Sequence, residues 1–219
     1  HAEADRVVEA DGVDAAGDWV RTYFEEGRVG HGFGKLILFG EHFVVHDRPA
    51  LVVALPVSTT CELTYVGGNR GLVLDDRPAV AGYKSKKGGE LIESTRLIFD
   101  DVGIDFRGWQ VRFAGTLTCS SGVGSSAANC VALARALARF RPSTDEEVNR
   151  LAYLGESISH GRPSGVDNTA STYGGMLQFR KGAPPERVVA ARPLHVVWAS
   201  TGITASTTSV LADVQSIRE

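Results

Sequence analysis

No uninterrupted apolar run in the 219-residue sequence approaches the roughly 20 residues that a membrane-spanning helix needs, which sets a membrane partner aside. A long basic run is missing too. With 23 Lys and Arg against 26 Asp and Glu, the net charge of −3 argues against a nucleic-acid partner. Lys84, Lys86 and Lys87 are the nearest approach to a basic patch and read as a solvated loop. The three cysteines, Cys61, Cys119 and Cys130, form no C-x-x-C pair, and their odd number speaks against a disulfide framework; a reducing, cytoplasmic setting is expected. His42 and His46 have the i, i+4 spacing of a metal pair, but Phe43, Val44 and Val45 lie between them, so no H-E-x-x-H zinc motif is present. Internal repeats and low-complexity tracts are also absent. What remains is an ordinary globular balance, 43% hydrophobic and 22% charged, sufficient to bury a core. The chain starts at His1 and stops at Glu219 inside a predicted helix, so a fragment of a longer protein is expected.

Hydrophobic periodicity predicts mixed strands and helices, an α+β or α/β design. Residues 1–28 read as a loose tail followed by an amphipathic helix with Trp19, Val20, Tyr23 and Phe24 on one face. Apolar runs at 35–39 and 50–57 predict buried strands, and 59–65 a half-exposed one. Residues 66–89 read as hairpin and loop, 89–101 as a helix with Leu91, Thr95 and Ile98 along one face, and 109–118 as a strand. A Gly/Ser-rich stretch, 119–126, opens into an alanine-rich helix that Pro142 stops. Ser143, Thr144, Asp145 and Glu146 have the character of a capping box, beginning a helix that Gly161 and Pro163 end. Residues 172–179 and 188–200 are predicted strands, and a helix begins near Thr204 with Val210, Leu211 and Val214 on one face.

Three stretches carry chemistry. The first is the loop before the alanine-rich helix. A helix N-terminus presents unpaired N–H groups and the positive end of its dipole, which suits a phosphate, and Gly122 and Gly124 let the backbone come close to an anion. Ser125 and Ser126 can cap the helix, touch phosphate or ligate magnesium; simple capping is the structural alternative. No lysine follows the second glycine, so this is not a Walker loop. In the second stretch, Glu156 borders the inner face formed by Val148, Leu151, Ala152 and Gly155, and Asp167 follows a rigid Pro-Ser-Gly turn. Two carboxylates near a phosphate loop suit a metal ion and the proton of an attacking hydroxyl; the alternative is a solvated Glu156 and an Asp167 that caps a short helix. Third, Lys35 opens a buried strand, where an ammonium needs an anion.

Together, GKLILFGEHFVVHDRPAL (34–51), CSSGVGSSAA (119–128) and HGRPSGVDNTASTYGG (160–175) resemble the motifs of the GHMP kinases, and within them the mevalonate kinase type. The resemblance extends over residues 30–212. The phosphate loop departs from the family pattern P-x-G-A-G-L-G-S-S-A in lacking its proline and in carrying Ser120 where glycine is usual. The resemblance implies a GHMP kinase fold with three parts: a helical extension at 1–28, an ATP-binding α/β domain at 29–200 and only the start of a ferredoxin-like domain at 201–219. It also implies transfer of the γ-phosphoryl of ATP to the primary hydroxyl of mevalonate. Asp167 and Lys35 take the catalytic positions. Ser120, Ser121, Gly122, Val123, Gly124, Ser125 and Ser126 wrap the phosphates, and Ser126 and Glu156 hold Mg2+. Glu41, His42, Arg180 and Thr207 face the acceptor, with Lys181 an alternative to Arg180. A homodimer is compatible with the family. The family's third, glycine-rich motif is absent from these residues.

Other functions remain to be weighed. Gly124-Ser125-Ser126-Ala127-Ala128 approaches a serine hydrolase elbow but has alanine where the second glycine belongs. A kinase-like protein that only binds a ligand need not keep Lys35, Ser126, Glu156 and Asp167 together. Phosphomevalonate kinase is the nearest relative in chemistry, but its more highly charged acceptor needs more cations than Lys35, His42 and Arg180 or Lys181 supply.

Overall fold

A computed structural model describes residues 29–41, 43–192 and 195–199. The predicted helices within 1–28 and after Thr204 lie outside these residues. Six strands form one sheet: β1 (Gly30–Phe39), β2 (Ala50–Tyr65), β3 (Leu72–Asp75), β4 (Trp109–Gly115), β5 (Met176–Phe179) and β6 (Glu186–Arg187). The order runs β3-β4-β2-β5-β6, with β1 on the other edge of β2. Only β3 and β4 pair in parallel among the described strands. The helices are α1 (Tyr83–Val102), α2 (Ser125–Leu137), α3 (Asp145–His160) and α4 (Val166–Tyr173).

β2 is a single strand of 16 residues, where two strands were expected at 50–57 and 59–65. The break in its pattern is a bulge: Leu55 faces Gly34 and Ser58 faces Phe33, so Pro56 and Val57 are extra residues with no partner on β1. Proline, which has no N–H to give a ladder, is tolerated at such a place. The second half of β2 pairs with β4, its first residues with β5.

α2 lies at the centre of the fold. Every residue in it except Ser126 is buried. Gly30 and Gly32, on one face of β1, make room for it: a Cβ on Gly30 would sit 2.0 Å from the Ala132 oxygen, and one on Gly32 2.0 Å from the Ala128 oxygen. Ala128, Ala132 and Ala136 recur every four residues, a single helix face, so small residues meet small residues and the backbones come close. On its other side α2 meets α1 and α3, where a Cβ on Gly155 would collide with Cys130 Sγ and Ile98 Cδ1. Ile98, Phe99, Val111, Phe113, Val131, Leu133 and Leu151 complete this core.

Several boundaries differ from the sequence expectations. α1 starts at Tyr83, not near residue 89, so Lys84, Lys86 and Lys87 lie on the first turns of a helix and not in a loop. The adjacent Gly88 and Gly89 weaken the intrinsic helix signal there, while the buried residues Ser94, Thr95, Ile98, Phe99 and Val102 anchor the second half. Thr172 belongs to α4, leaving only Met176–Phe179 as strand. The strand expected at 188–200 is absent from its described residues; just before it, Glu186–Arg187 form a strand on β5, with Val188 N donating to Met176 O at 2.9 Å. Val189 and Val197 are exposed, apolar residues without a sheet partner. The helix start is as expected, but the cap is one residue on from the Ser143–Glu146 spacing: Thr144 caps α3, its hydroxyl accepting from Glu147 N, while Ser143 Oγ donates to Arg141 O.

Two glycines give opposite predictions. Gly32→Ala should cost at least the roughly 1–3 kcal/mol typical of an overfilled core, because the new methyl meets helix backbone. Gly88→Ala enters open space inside α1 and should raise stability by up to about 1 kcal/mol. Denaturant midpoints decide; an unchanged midpoint for Gly32→Ala would contradict the close contact between α2 and β1.

Candidate active site

α2 runs antiparallel to β1, its far end over Gly30 and its N-terminus beside Lys35. Ahead of that terminus the loop alternates left-handed residues: Ser120 (φ 66°), Gly122 (φ 77°) and Gly124 (φ 75°). Such alternation turns successive N–H groups toward one side, a concavity suited to anions. Ser120 thus holds the conformation that glycine adopts freely, at a cost of roughly 1–2 kcal/mol for a residue with a Cβ. Gly124 is the N-cap and has no side chain, so no side-chain oxygen closes the first turn of α2. The capping alternative for the serines therefore fails. Ser125 Oγ accepts from Ser120 N at 3.4 Å, bracing the loop from the start of α2. Ser121 Oγ donates to Thr118 O at 2.7 Å. Val123 anchors the loop, packed with Val57, Leu117 and Ala128, and its oxygen accepts from Lys35 N at 2.9 Å.

The Lys35 side chain passes directly over Gly124, where a Cβ would sit 2.7 Å from Lys35 Cγ. Lys35 is 6% exposed, and its ammonium lies 3.2 Å from Asp167 Oδ1. The anion that a buried lysine requires is thus Asp167, whose side chain remains 28% exposed and open to a substrate. Asp167 stands in the first turn of α4, after the left-handed N-cap Gly165, and does not itself cap. Its neighbour Asn168, buried, ties α4 to α3 by donating to Asn149 O (3.2 Å) and Asn149 Oδ1 (2.7 Å).

Glu156 faces the same centre from α3 and is 3% exposed, so it is not the solvated residue of the bland alternative. Burial, reinforced by the Asp167 charge, pushes its carboxyl up to about 8 despite a hydrogen bond with Ser126 and the nearby Lys35. Its Oε1 accepts no hydrogen bond from the described residues; His160 Nε2, at 3.9 Å, is too far. A buried carboxylate oxygen without a partner, beside a serine hydroxyl, is a pair of hard donors that fits a divalent cation such as Mg2+. Among the described residues no three His, Cys, Asp or Glu side chains cluster as a metal cage. An ion held here would take the rest of its shell from water and ligand oxygens.

The structure thus brings together Lys35, residues 120–126, Glu156 and Asp167, as expected from sequence. Glu41 and Arg180 are exposed, and no hydrogen bond or ion pair connects them to this cluster. They share one end of the sheet: Arg180 follows Phe179, which pairs with Ala50, and Gly40 packs against Pro49 and Ala50. Lys35 pairs with Ala54, four residues along β2, or roughly 13 Å. His42 and Thr207 lie outside the described residues. Arg77 went unnoticed in the sequence because it falls in a stretch read as loop; it is 2% exposed and bonded to Asp75 and Asn129.

Residues 90–175 match the family model described as the GHMP kinases N terminal domain. The chain is 36% identical to a mevalonate kinase of Arabidopsis thaliana, over 83% of its own length and 64% of the relative's. It is 32% identical to one from Aeropyrum pernix, over 85% and 61%. Among solved structures, a mevalonate kinase from L. major in complex with R-mevalonate superposes with a TM-score of 0.75 at 37% identity, over 87% of this chain and 61% of that one. The chain therefore spans about three fifths of the length of these relatives.

Glu156 makes a prediction about metal-free protein. Its folded value, about 8, lies above the ordinary 4.5, so between these values the folded state binds the proton more tightly than the unfolded one. Its contribution to stability is complete at low pH and is lost as pH rises through about 8. Glu156→Gln removes that loss. In the presence of a chelator, the Tm of the variant minus that of the parent should increase from pH 5 to pH 8; a pH-independent difference would contradict the buried setting of the carboxyl.

Proposed function

The chain belongs to the GHMP kinase family, and we propose that it supplies the nucleotide-binding domain of an enzyme that transfers the γ-phosphoryl of ATP to the primary hydroxyl of mevalonate. The observation that carries this is the Lys35–Asp167 pair, 3.2 Å apart, beside an uncapped helix N-terminus. The triphosphate lies along residues 120–126, met by backbone N–H groups and the helix dipole. The acceptor hydroxyl sits between Lys35 and Asp167. Its oxygen attacks the γ-phosphorus, its proton passes to an Asp167 oxygen, and the bond to the bridging oxygen of the β-phosphate breaks to release ADP. Lys35 holds the hydroxyl oxygen and stabilises the charge that develops on it. Glu156 and Ser126 would hold Mg2+, which supplies neutralisation of the β- and γ-phosphate charge.

Arg180 is the proposed contact for the acceptor carboxylate, with Glu41, His42 and Thr207 completing that side. Lys35 is already engaged with Asp167, which leaves a modest positive field matched to a single carboxylate, hence mevalonate over phosphomevalonate. None of the described helices is long and apolar enough to cross a membrane, and we place the enzyme in the cytoplasm, using ATP and Mg2+.

The test is a coupled ADP-release assay on protein extended through the remainder of the chain, with mevalonate and phosphomevalonate in competition. Mevalonate should be turned over with the higher kcat/KM, and preferential use of phosphomevalonate would reverse the assignment. Asp167→Asn should lower kcat by roughly 10²–10⁴-fold with ATP affinity intact; a variant that keeps most of its turnover removes Asp167 from the proton transfer. Glu156→Gln should shift the Mg2+ titration of activity to higher concentration by about tenfold or more. An unchanged titration would dismiss Glu156 as a ligand.

A further inference from the structure

The phosphate loop has a wall made by the segment that continues β3. Cys119 N donates to Pro78 O at 2.8 Å, Val80 N donates to Cys119 O at 3.3 Å, and Ala79 bridges Cys119 in parallel fashion. Arg77 begins this segment and turns its side chain into the interior. Its Nε donates to Asp75 Oδ1 at 2.7 Å and its Nη2 to Asp75 Oδ2 at 2.8 Å, a two-pronged grip. The remaining terminal nitrogen, Nη1, donates to Asn129 Oδ1, and the guanidinium carbon lies 5.7 Å from the centre of the Phe113 ring. Asn129 is one turn beyond Ser125 on α2, and Ser125 Oγ accepts from Ser120 N. Both ends of the loop are therefore referred to one guanidinium: Cys119 through Pro78, and Ser125 through the turn that carries Asn129.

The charges point the same way. Residues 119–126 include no ionisable side chain but the thiol of Cys119. Behind them, Lys84 Nζ donates to Asp75 O at 2.6 Å and lies 4.0 Å from Asp75 Oδ1, so two cations face one carboxylate. Burial pushes the Asp75 carboxyl up, but the hydrogen bonds and charge of Arg77, with Lys84, more than offset this and hold it below the ordinary range. A buried ion pair is seldom more stabilising than apolar packing of the same volume. What an arginine adds is geometry, because its planar fork grips a carboxylate while a third nitrogen reaches a second element.

We propose that Arg77 is a positioning residue for the nucleotide, fixing the wall at 77–80 against the first turns of α2 so that the N–H groups of loop 119–126 converge on the phosphates. This rests on the proposed use of ATP, and the test separates the two. Arg77→Met takes from the half-buried Asp75 its two-pronged partner, leaving only Lys84 at 4.0 Å, and is expected to lose stability as well, so the informative change is Asn129→Ala, which cuts only the link to α2. On protein extended through the remainder of the chain, Asn129→Ala should weaken ATP binding, measured by direct titration without acceptor, by about 10-fold, the scale of one hydrogen bond to a charged group. The KM for mevalonate and kcat at saturating ATP should stay within about threefold, and Asn129→Asp, which keeps an acceptor for Arg77, should restore ATP affinity. Unchanged ATP affinity in Asn129→Ala overturns the proposal. So does a parallel loss of ATP affinity, mevalonate KM and Tm, which is the mark of a merely structural contact. A parent that binds ATP but leaves mevalonate untouched would defeat the acceptor assignment alone, with the ATP affinities of the variants still deciding the role of Arg77.

Discussion

The contact between Gly30 and Gly32 of β1 and the Ala128, Ala132 and Ala136 face of α2 sets the distance between sheet and helix. With side chains on those glycines the helix would have to lift away. Its N-terminus would then no longer meet the strand at Lys35, where Gly124 lets the lysine stem pass and Val123 O accepts from Lys35 N. The antiparallel course of helix and strand follows from the same contact, since Gly30 meets Ala132 and Ala136 while Gly32, nearer Lys35 on β1, meets Ala128 near the start of α2. Gly155 repeats the device on the opposite side, bringing α3 close enough for Glu156 to reach the same centre. Glycine, costly in isolated strands and helices, serves here to set inter-element distance.

Around this frame the interior holds more charge than a core of this size needs for stability. Lys35, Arg77, Arg135 and Glu156 are all buried. Arg135 donates to His31 O at 2.8 Å and Thr172 O at 2.6 Å and lies 3.6 Å from Asp145, joining β1, α4 and the start of α3. Arg77 joins the β3 extension to α2. In both cases one guanidinium spans elements far apart in sequence, and the penalty for leaving its partners unpaired falls on any displaced arrangement. These arginines act on register. The parts they hold are the ones that carry Asp167 and the phosphate loop.

Much of the centre was legible in the sequence because its residues violate ordinary expectations for their places. A lysine opening an apolar strand, a Gly/Ser loop before an alanine-rich helix and a carboxylate on the border of an apolar stripe are each conspicuous, and Lys35, residues 120–126, Glu156 and Asp167 do converge. What could not be read is what depends on partners remote in the chain. Gly30 and Gly32 look like any flexible residues until α2 is placed on them. The left-handed Ser120 is visible only as a departure from a glycine pattern. Arg77 looked like loop surface because its three partners, Asp75, Asn129 and Phe113, come from three segments. The boundaries of α1 and α4 were misjudged for a related reason. Local propensity is weak at Gly88–Gly89 and at the β-branched Thr172, and packing overrides it.

The charges at the centre also bear on how a cation and a nucleotide would bind together under the proposed function. Lys35 and Asp167 cancel, and burial together with the Asp167 charge raises the Glu156 carboxyl, favouring its neutral form. The positive field toward the loop then comes from the α2 terminus, about half an elementary charge, and from the wall in which Arg77 and Lys84 outnumber Asp75. One carboxyl group and one hydroxyl would make a weak site for a hard, strongly hydrated cation, and binding would compete with a proton for the Glu156 carboxyl. Phosphate oxygens of the proposed ATP would supply the donors that the protein lacks, and a bound cation would favour the ionised form of the carboxyl that desolvation disfavours. Under the proposed function each ligand therefore improves the site for the other, and by linkage the two affinities rise by the same factor. The buried Glu156 oxygen that accepts no hydrogen bond, unfavourable in the protein alone, would be what couples them.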